Sequence, residues 1–196
     1  LRPFAAFEAW VDTARMLPAL QAQLGDEAGP YTRCTVLHAK CRVHVDESAW
    51  DKATLAVVYR LDGVARDGGA HTLLLHARVF LGGRSAAAYA DIEAAGRRVL
   101  PWPGAQAATQ PSTPPVLHWP ALDMVVWRFP ADPALVHLPE ANDPDRVRHH
   151  LPAWLASSLA SAFHIDVVKY QPSKQCISRF YRDEPGPTSK PTSSAA

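Results

Sequence analysis

Val167-Val168-Lys169-Tyr170-Gln171-Pro172-Ser173-Lys174-Gln175-Cys176-Ile177-Ser178-Arg179-Phe180-Tyr181 reads as a β-hairpin. Two runs rich in β-branched and aromatic residues flank Gln171-Pro172-Ser173-Lys174, where Pro172 presets φ for a turn and its polar neighbours suit an exposed tip. In the second arm Cys176, Ser178 and Phe180 share one face and Ile177, Arg179 and Tyr181 the other. Residues 183–196, rich in Pro, Ser and Thr, hold too little apolar surface to order themselves and are expected to form a disordered tail. A sheet that opens this late, in a chain whose first residue is Leu1 rather than Met, leads to the expectation of a truncated, longer protein.

Working back from the hairpin, Asp143-Pro144 is a helix start, a capping side chain followed by proline at the first helical position. The helix it opens turns Val147, Leu151, Leu155 and Leu159 inward, with a kink or restart at Pro152. Residues 122–129 read as a strand, stopped by Pro130-Ala131-Asp132-Pro133. Further back, strands over 32–45, 55–61 and 72–81 follow in meander order. The last of them presents Leu73, Leu75, Ala77, Val79 and Leu81 on one apolar face, which requires a cover. Helices over 4–24 and 85–98 supply it. The first carries Phe4, Phe7, Val11, Ala14, Leu17, Leu20 and Leu24 at helical spacing and is expected to break near Pro18. The second takes Ser85 as its N-cap after Gly82-Gly83 and buries Ala88, Ile92 and Ala95.

These elements predict an α+β fold of antiparallel sheet with helices packed on one face. Residues 1–100 form an α+β subdomain, 101–115 a Pro-rich linker or loop, 116–182 a strand–helix–hairpin segment, and 183–196 the tail. The 196 residues are 47% hydrophobic and 20% charged, enough to bury a core. A formal net charge of +1, with both signs interspersed, leaves no footprint for a nucleic-acid partner. No apolar run approaches the roughly 20 residues of a membrane-spanning helix, so no membrane partner is expected. Three cysteines and no basic, apolar leader point to a reduced, cytoplasmic protein.

Trp127-Arg128-Phe129-Pro130-Ala131-Asp132-Pro133, a helix, and then Tyr170-Gln171-Pro172-Ser173-Lys174-Gln175-Cys176 resemble two segments of the bacterial aminoglycoside/choline-type phosphotransferases. The family has Trp-Arg-Phe-Pro-x-Asp-Pro upstream and a Tyr-x-Pro-Gly-x-Arg-Cys hairpin that opens a kinase-like N-lobe. Here Ser173 stands at the glycine and Gln175 at the arginine. The resemblance covers residues 116–182 and implies that 1–100 is a cap-like subdomain and 116–182 the start of the N-lobe. It implies ATP and Mg²⁺ as cofactors of the complete enzyme, none in this chain, and a small-molecule substrate. The missing C-terminal catalytic lobe of the same protein would be the partner. Lys169 and Lys174 are candidate nucleotide contacts, and Trp127, Arg128 and Asp132 a contact between cap and lobe. The family's catalytic His-x-Asp-x-x-x-x-Asn loop and metal-binding Asp are missing downstream, so no catalytic and no metal-binding residue is assigned. The expected function is the inactive N-terminal portion of an ATP-dependent phosphotransferase, with an unsupported hairpin edge. The alternative is a non-enzymatic α+β binding or partner-interaction module, whose hairpin would pair with residues 122–129 or be covered.

Two further groups imitate chemistry. His164-Ile165-Asp166 looks like the kinase catalytic triplet, but Gln171 occupies the Asn position, and the triplet reads instead as a helix C-terminus. Cys34, His38, Cys41 and His44 are zinc-ligand types. On a regular strand Cys34, His38 and His44 face one way and Cys41 the other, so the four cannot converge, and their spacing matches no zinc motif. There is no phosphate-cradling Gly-rich loop, no Gly-x-Ser-x-Gly elbow and no Cys-x-x-Cys pair.

Overall fold

The computed structural model describes residues 5–25, 30–43, 53–65, 68–96, 116–152 and 163–182. The chain divides into two compact units, residues 1–136 with 171–174, and residues 137–170 with 175–196. In the first, β1 (Tyr31–Arg42), β2 (Thr54–Val64) and β3 (Ala70–Val79) form the expected meander. β4 (Val116–Trp119) and β5 (Met124–Arg128) extend it to an antiparallel sheet of order β1-β2-β3-β5-β4. β5 pairs with β3 from Leu75 opposite Arg128 to Val79 opposite Met124. Residues 116–128 therefore belong to the first sheet and not with the hairpin, and the division falls after Val136. The expected linker at 101–115 and the tail at 183–196 lie outside the described residues.

The sheet's alternation sorts its residues onto two faces. Leu55, Val57, Tyr59 and Leu61 of β2, Leu73, Leu75, Ala77 and Val79 of β3, and Met124 and Val126 of β5 bury one face. Each large aliphatic contributes about 1.5–3 kcal/mol on full burial. The cover is a 3₁₀ turn (Ala5–Phe7) and two helices, α1 (Glu8–Val11) and α2 (Thr13–Leu24), which contribute Phe7, Met16 and Leu20. The helical segment breaks at Asp12 and not at Pro18. The Asp12 carboxylate accepts the amides of Ala14 at 3.0 Å and Arg15 at 3.3 Å, capping a fresh start, while Pro18 is carried inside α2. A cap satisfies amides that the helix leaves orphaned, whereas the proline forfeits a single backbone bond. Trp10 of α1 ties cover to sheet, donating from Nε1 to the Leu122 carbonyl at 3.0 Å and accepting the Tyr59 hydroxyl on its own carbonyl at 2.6 Å.

On the opposite face, α3 (Ser85–Gly96) packs Ala88, Tyr89 and Ile92 against Phe80, Val125 and Trp127. The two helical covers thus lie on different faces of the sheet. Ser85 is the first residue of α3 and not its cap. That task falls to Asp123, left-handed at φ 47° after the 3₁₀ turn Pro120–Leu122, whose carboxylate accepts the amides of Gly83 at 2.8 Å and Ser85 at 2.9 Å. Burial works against the Asp123 charge, but these bonds and the nearby Arg84 hold its pKa below the usual carboxylate value.

The second unit holds α4 (Leu138–Ala141), α5 (Pro144–His150) and the paired strands β6 (Phe163–Gln171) and β7 (Gln175–Arg182). Asp143 caps α5 as expected, accepting from Asp145 at 3.0 Å and Arg146 at 3.3 Å, with Pro144 at the first position. The helix ends at His150, ahead of Leu151 and Pro152, and the positions of Leu155 and Leu159 lie outside the described residues. β6 and β7 form a two-stranded sheet of their own, unpaired with residues 122–129. No helix among the described residues is long and apolar enough to cross a membrane.

Candidate functional site

The site begins with two irregularities in β1. Its register against β2 slips between Tyr31 and Arg33 and again between Val36 and His38, so that Thr32 and Leu37 are extra residues in bulges. Cys34, Val36, Ala39 and Cys41 consequently all pack against the core, while His38, Lys40 and Arg42 take the other face. This overturns the regular-strand expectation for the Cys/His group, which set Cys34 with His38 and apart from Cys41. The three cysteines are free, and burial pushes the Cys34 thiol up to about 11. His44 lies outside the described residues.

Rows run across the face that His38, Lys40 and Arg42 share. His38 stands opposite Val58, Val58 opposite His76, and His76 opposite Trp127; Lys40 stands opposite Ala56, and Ala56 opposite Arg78. Lys40 and Arg78 are thus separated by one strand, roughly 10 Å at the backbone, with only an alanine methyl between them. The His76 ring stacks on Trp127 with centroids 5.0 Å apart, and the Arg78 guanidinium lies 5.9 Å from the same indole.

A cleft of about 260 Å³ opens beside these rows, lined by His38, Lys40, Arg42 and Ala56 and, across from them, by Gln171, Pro172, Ser173 and Lys174. A second hollow of about 630 Å³ shares Lys40 and Arg42 and adds Arg78, Thr54 and Phe80. No carboxylate among the described residues lines either. Among the described residues, none of Lys40, Arg42, Arg78 and Lys174 forms an ion pair. Burial, and after it the charge of Arg42, lowers the pKa of Arg78. His76 is 2% exposed, and its pKa falls to about 4. Burial is the main cause; Asp132 opposes it, and Arg78, His38 and Arg42 add to it. Among the described residues the lining is cationic, and Asp132 is the carboxylate that acts on His76 beside it.

The far wall is the turn Gln171–Lys174, closed by the Lys174 amide donating to the Gln171 carbonyl at 3.1 Å. Ser173, at the turn's third position, has φ 58°, a conformation that glycine adopts without cost. The turn is anchored by Asp132, itself 6% exposed. Asp132 Oδ2 accepts the Ser173 amide at 2.8 Å, and Oδ1 accepts Ala134 at 2.9 Å and Leu135 at 3.2 Å. The peptide bond between Phe129 and Pro130, just upstream, is cis.

Of the residues singled out from sequence, Lys174 lines the cleft, Asp132 holds its turn, and Trp127 lies under His76 and Arg78. Arg128 stands opposite Leu75, at the end of β5, close enough to Tyr31 to lower its phenol pKa against the larger, raising effect of burial. Lys169 is exposed on β6 and takes no part in the cleft lining. His164-Ile165-Asp166 is strand and not a helix C-terminus. His164 stacks on Tyr181, and Asp166 accepts from Arg179 at 2.8 Å and from the Tyr181 hydroxyl at 3.3 Å, a cross-strand cluster. As hosts for a nucleotide, Lys40, Arg42 and Lys174 have the charge to meet phosphate oxygens. For Mg²⁺, the carboxylates of the two resembling segments, Asp132 and Asp166, are already engaged. No group of three or more His, Cys, Asp or Glu among the described residues is placed to hold a metal. His38, Lys40, Arg42 and Arg78 were not foreseen as a site, although basic residues at every second position after Leu37 were the available signal. No family model matches this chain, and neither the curated proteins nor the solved structures contain a match.

Proposed function

We propose that this chain is the cap and first N-lobe hairpin of an ATP-dependent, kinase-like small-molecule phosphotransferase, a cytoplasmic enzyme whose catalytic lobe lies in further sequence. The observation that carries the reading is the bond between Asp132 and Ser173. It joins the two segments on which the resemblance rests, at the acidic residue of one and the glycine position of the other, and that position has the backbone conformation glycine favours. The hairpin arms add support, since Val168 is 62%, Ile177 48% and Phe180 47% exposed in a sheet of two strands. A two-stranded sheet with such a surface is what the opening of a larger sheet presents on its own.

The test is to trace the reading frame past residue 196 and express the whole product. A downstream His-x-Asp-x-x-x-x-Asn loop with ATP-dependent phosphorylation of an amino-alcohol or aminoglycoside is the expected result. A stop codon directly after Ala196 would overturn it. A second reading, a non-enzymatic binding module, is favoured by one fact: the described residues that line the cationic cleft all belong to one compact unit.

A further inference from the structure

We propose that the face formed by Lys40, Arg42, Arg78 and Lys174 is a binding site for a small, multiply charged phosphate compound. The inference rests on the cleft alone, whatever the fate of the phosphotransferase reading.

Three observations lead there. First, four permanent cations and His38 border two hollows that meet at Lys40 and Arg42, with no carboxylate among the described residues of either lining. A folded chain commonly scatters such charges or pairs them, because like charges held together in a partly desolvated cleft repel. Second, the arrangement is built by the backbone. The bulge at Leu37 sets the basic residues of β1 outward, and the register sets Arg78 level with Lys40 across Ala56, whose methyl leaves a floor between them. Third, Arg42 and Arg78 offer planar forks suited to two phosphate oxygens each, while Lys40 and Lys174 act as point charges. A bound anion would supply the compensation that the described lining lacks.

A small ligand fits better than a nucleic-acid strand. The cations come from β1, β3 and the turn at Lys174 and border two half-open hollows, and the chain as a whole carries a net charge of only +1. The hollows are of the size that takes a compound bearing one to three phosphates.

The experiment is calorimetric titration and thermal melting of the 196-residue chain with inorganic phosphate, pyrophosphate and ADP, without added metal. The expected result is one-to-one binding of pyrophosphate or ADP, tighter than phosphate and weakened by salt. Binding by ADP at least tenfold tighter than pyrophosphate would mark a nucleoside diphosphate as the source of the phosphates; equal affinities would mark the phosphates alone. The Arg42→Gln/Arg78→Gln double variant should lose at least tenfold in affinity while melting, without ligand, at or above the parent temperature, because a repulsion is removed. Arg60→Gln, which alters a cation paired to Asp62 outside the cleft lining, should bind as the parent does. Binding unchanged in the double variant would overturn the proposal, as would no binding of any of the three compounds. Tighter binding of a short oligonucleotide than of pyrophosphate, lost in the same double variant, would overturn it in favour of nucleic acid.

Discussion

Asp132 and Ser173 are joined across 41 residues of chain by one hydrogen bond, the Ser173 amide donating to Asp132 Oδ2 at 2.8 Å. With Ala134 and Leu135 on its other oxygen, this buried carboxylate serves three amides at once. Bonds to a charged acceptor are worth roughly 1.5–3 kcal/mol each, and they share one side chain here. Asp132→Asn keeps the shape but turns an NH₂ toward one of these donors. The expected outcome is a loss of about 2 kcal/mol and faster hydrogen exchange at the Ser173 amide. Unaltered exchange there would show that the carboxylate does not hold the turn.

Ser173 itself occupies the left-handed region at φ 58°, which costs an L-residue about 1 kcal/mol. Ser173→Gly removes that cost and returns part of it as unfolded-state entropy. A net gain of about 0.5 kcal/mol in denaturant unfolding is expected. A loss of more than 1 kcal/mol would mean that the hydroxyl, and not the backbone, matters at this position.

His76 makes stability depend on pH. Its folded pKa of about 4 lies below the ordinary 6.5, so in that window the unfolded chain binds the proton and the folded chain does not. The contribution is complete above pH 6.5 and is lost as the pH falls toward 4, in total on the order of 3 kcal/mol. His76→Phe should keep the stack on Trp127 and flatten this part of the curve. Parallel stability curves for the two proteins between pH 7 and 4.5 would rule the account out.

Tyr59 is buried with its hydroxyl on the Trp10 carbonyl, and burial raises its pKa far out of reach, so it stays protonated and donates. Tyr59→Phe leaves that carbonyl without its partner and should cost about 1–2 kcal/mol. The denaturant midpoint should fall at constant m-value. An unshifted midpoint would place the anchoring of α1 elsewhere.

The features legible in the sequence are those that local pattern dictates. Leu55 to Leu61 and Leu73 to Val79 are apolar at every second position, and both strands stand where the pattern put them. Asp143-Pro144 opens its helix because cap and proline act within one turn. The differences came from partners distant in sequence. Asp123 caps α3 from 38 residues away, so Ser85 alone could not reveal the arrangement. β4 is four residues long and gains its place by pairing with β5 and packing against α3. The cationic cleft combines β1, β3 and a turn near residue 172, and no single window of sequence contains it. Trp127 and Asp132 were singled out through a resemblance, and their packing and hydrogen bonds came from the structure alone.

The extra residue at Leu37 shifts the alternation of β1 by one step against its ladder. His38 is already the ladder neighbour of Val36, so Leu37 is a spare link whose removal leaves every later side chain on its present side. Loss of Ala39 or Cys41, by contrast, would reverse the parity of the rest of the strand. A chain one residue shorter at this point would carry the same cationic wall in plain alternation, visible to any pattern count. In this chain the bulge sets the wall out of phase with the residues before Leu37, so an alternation counted from Cys34 assigns His38 to the wrong face.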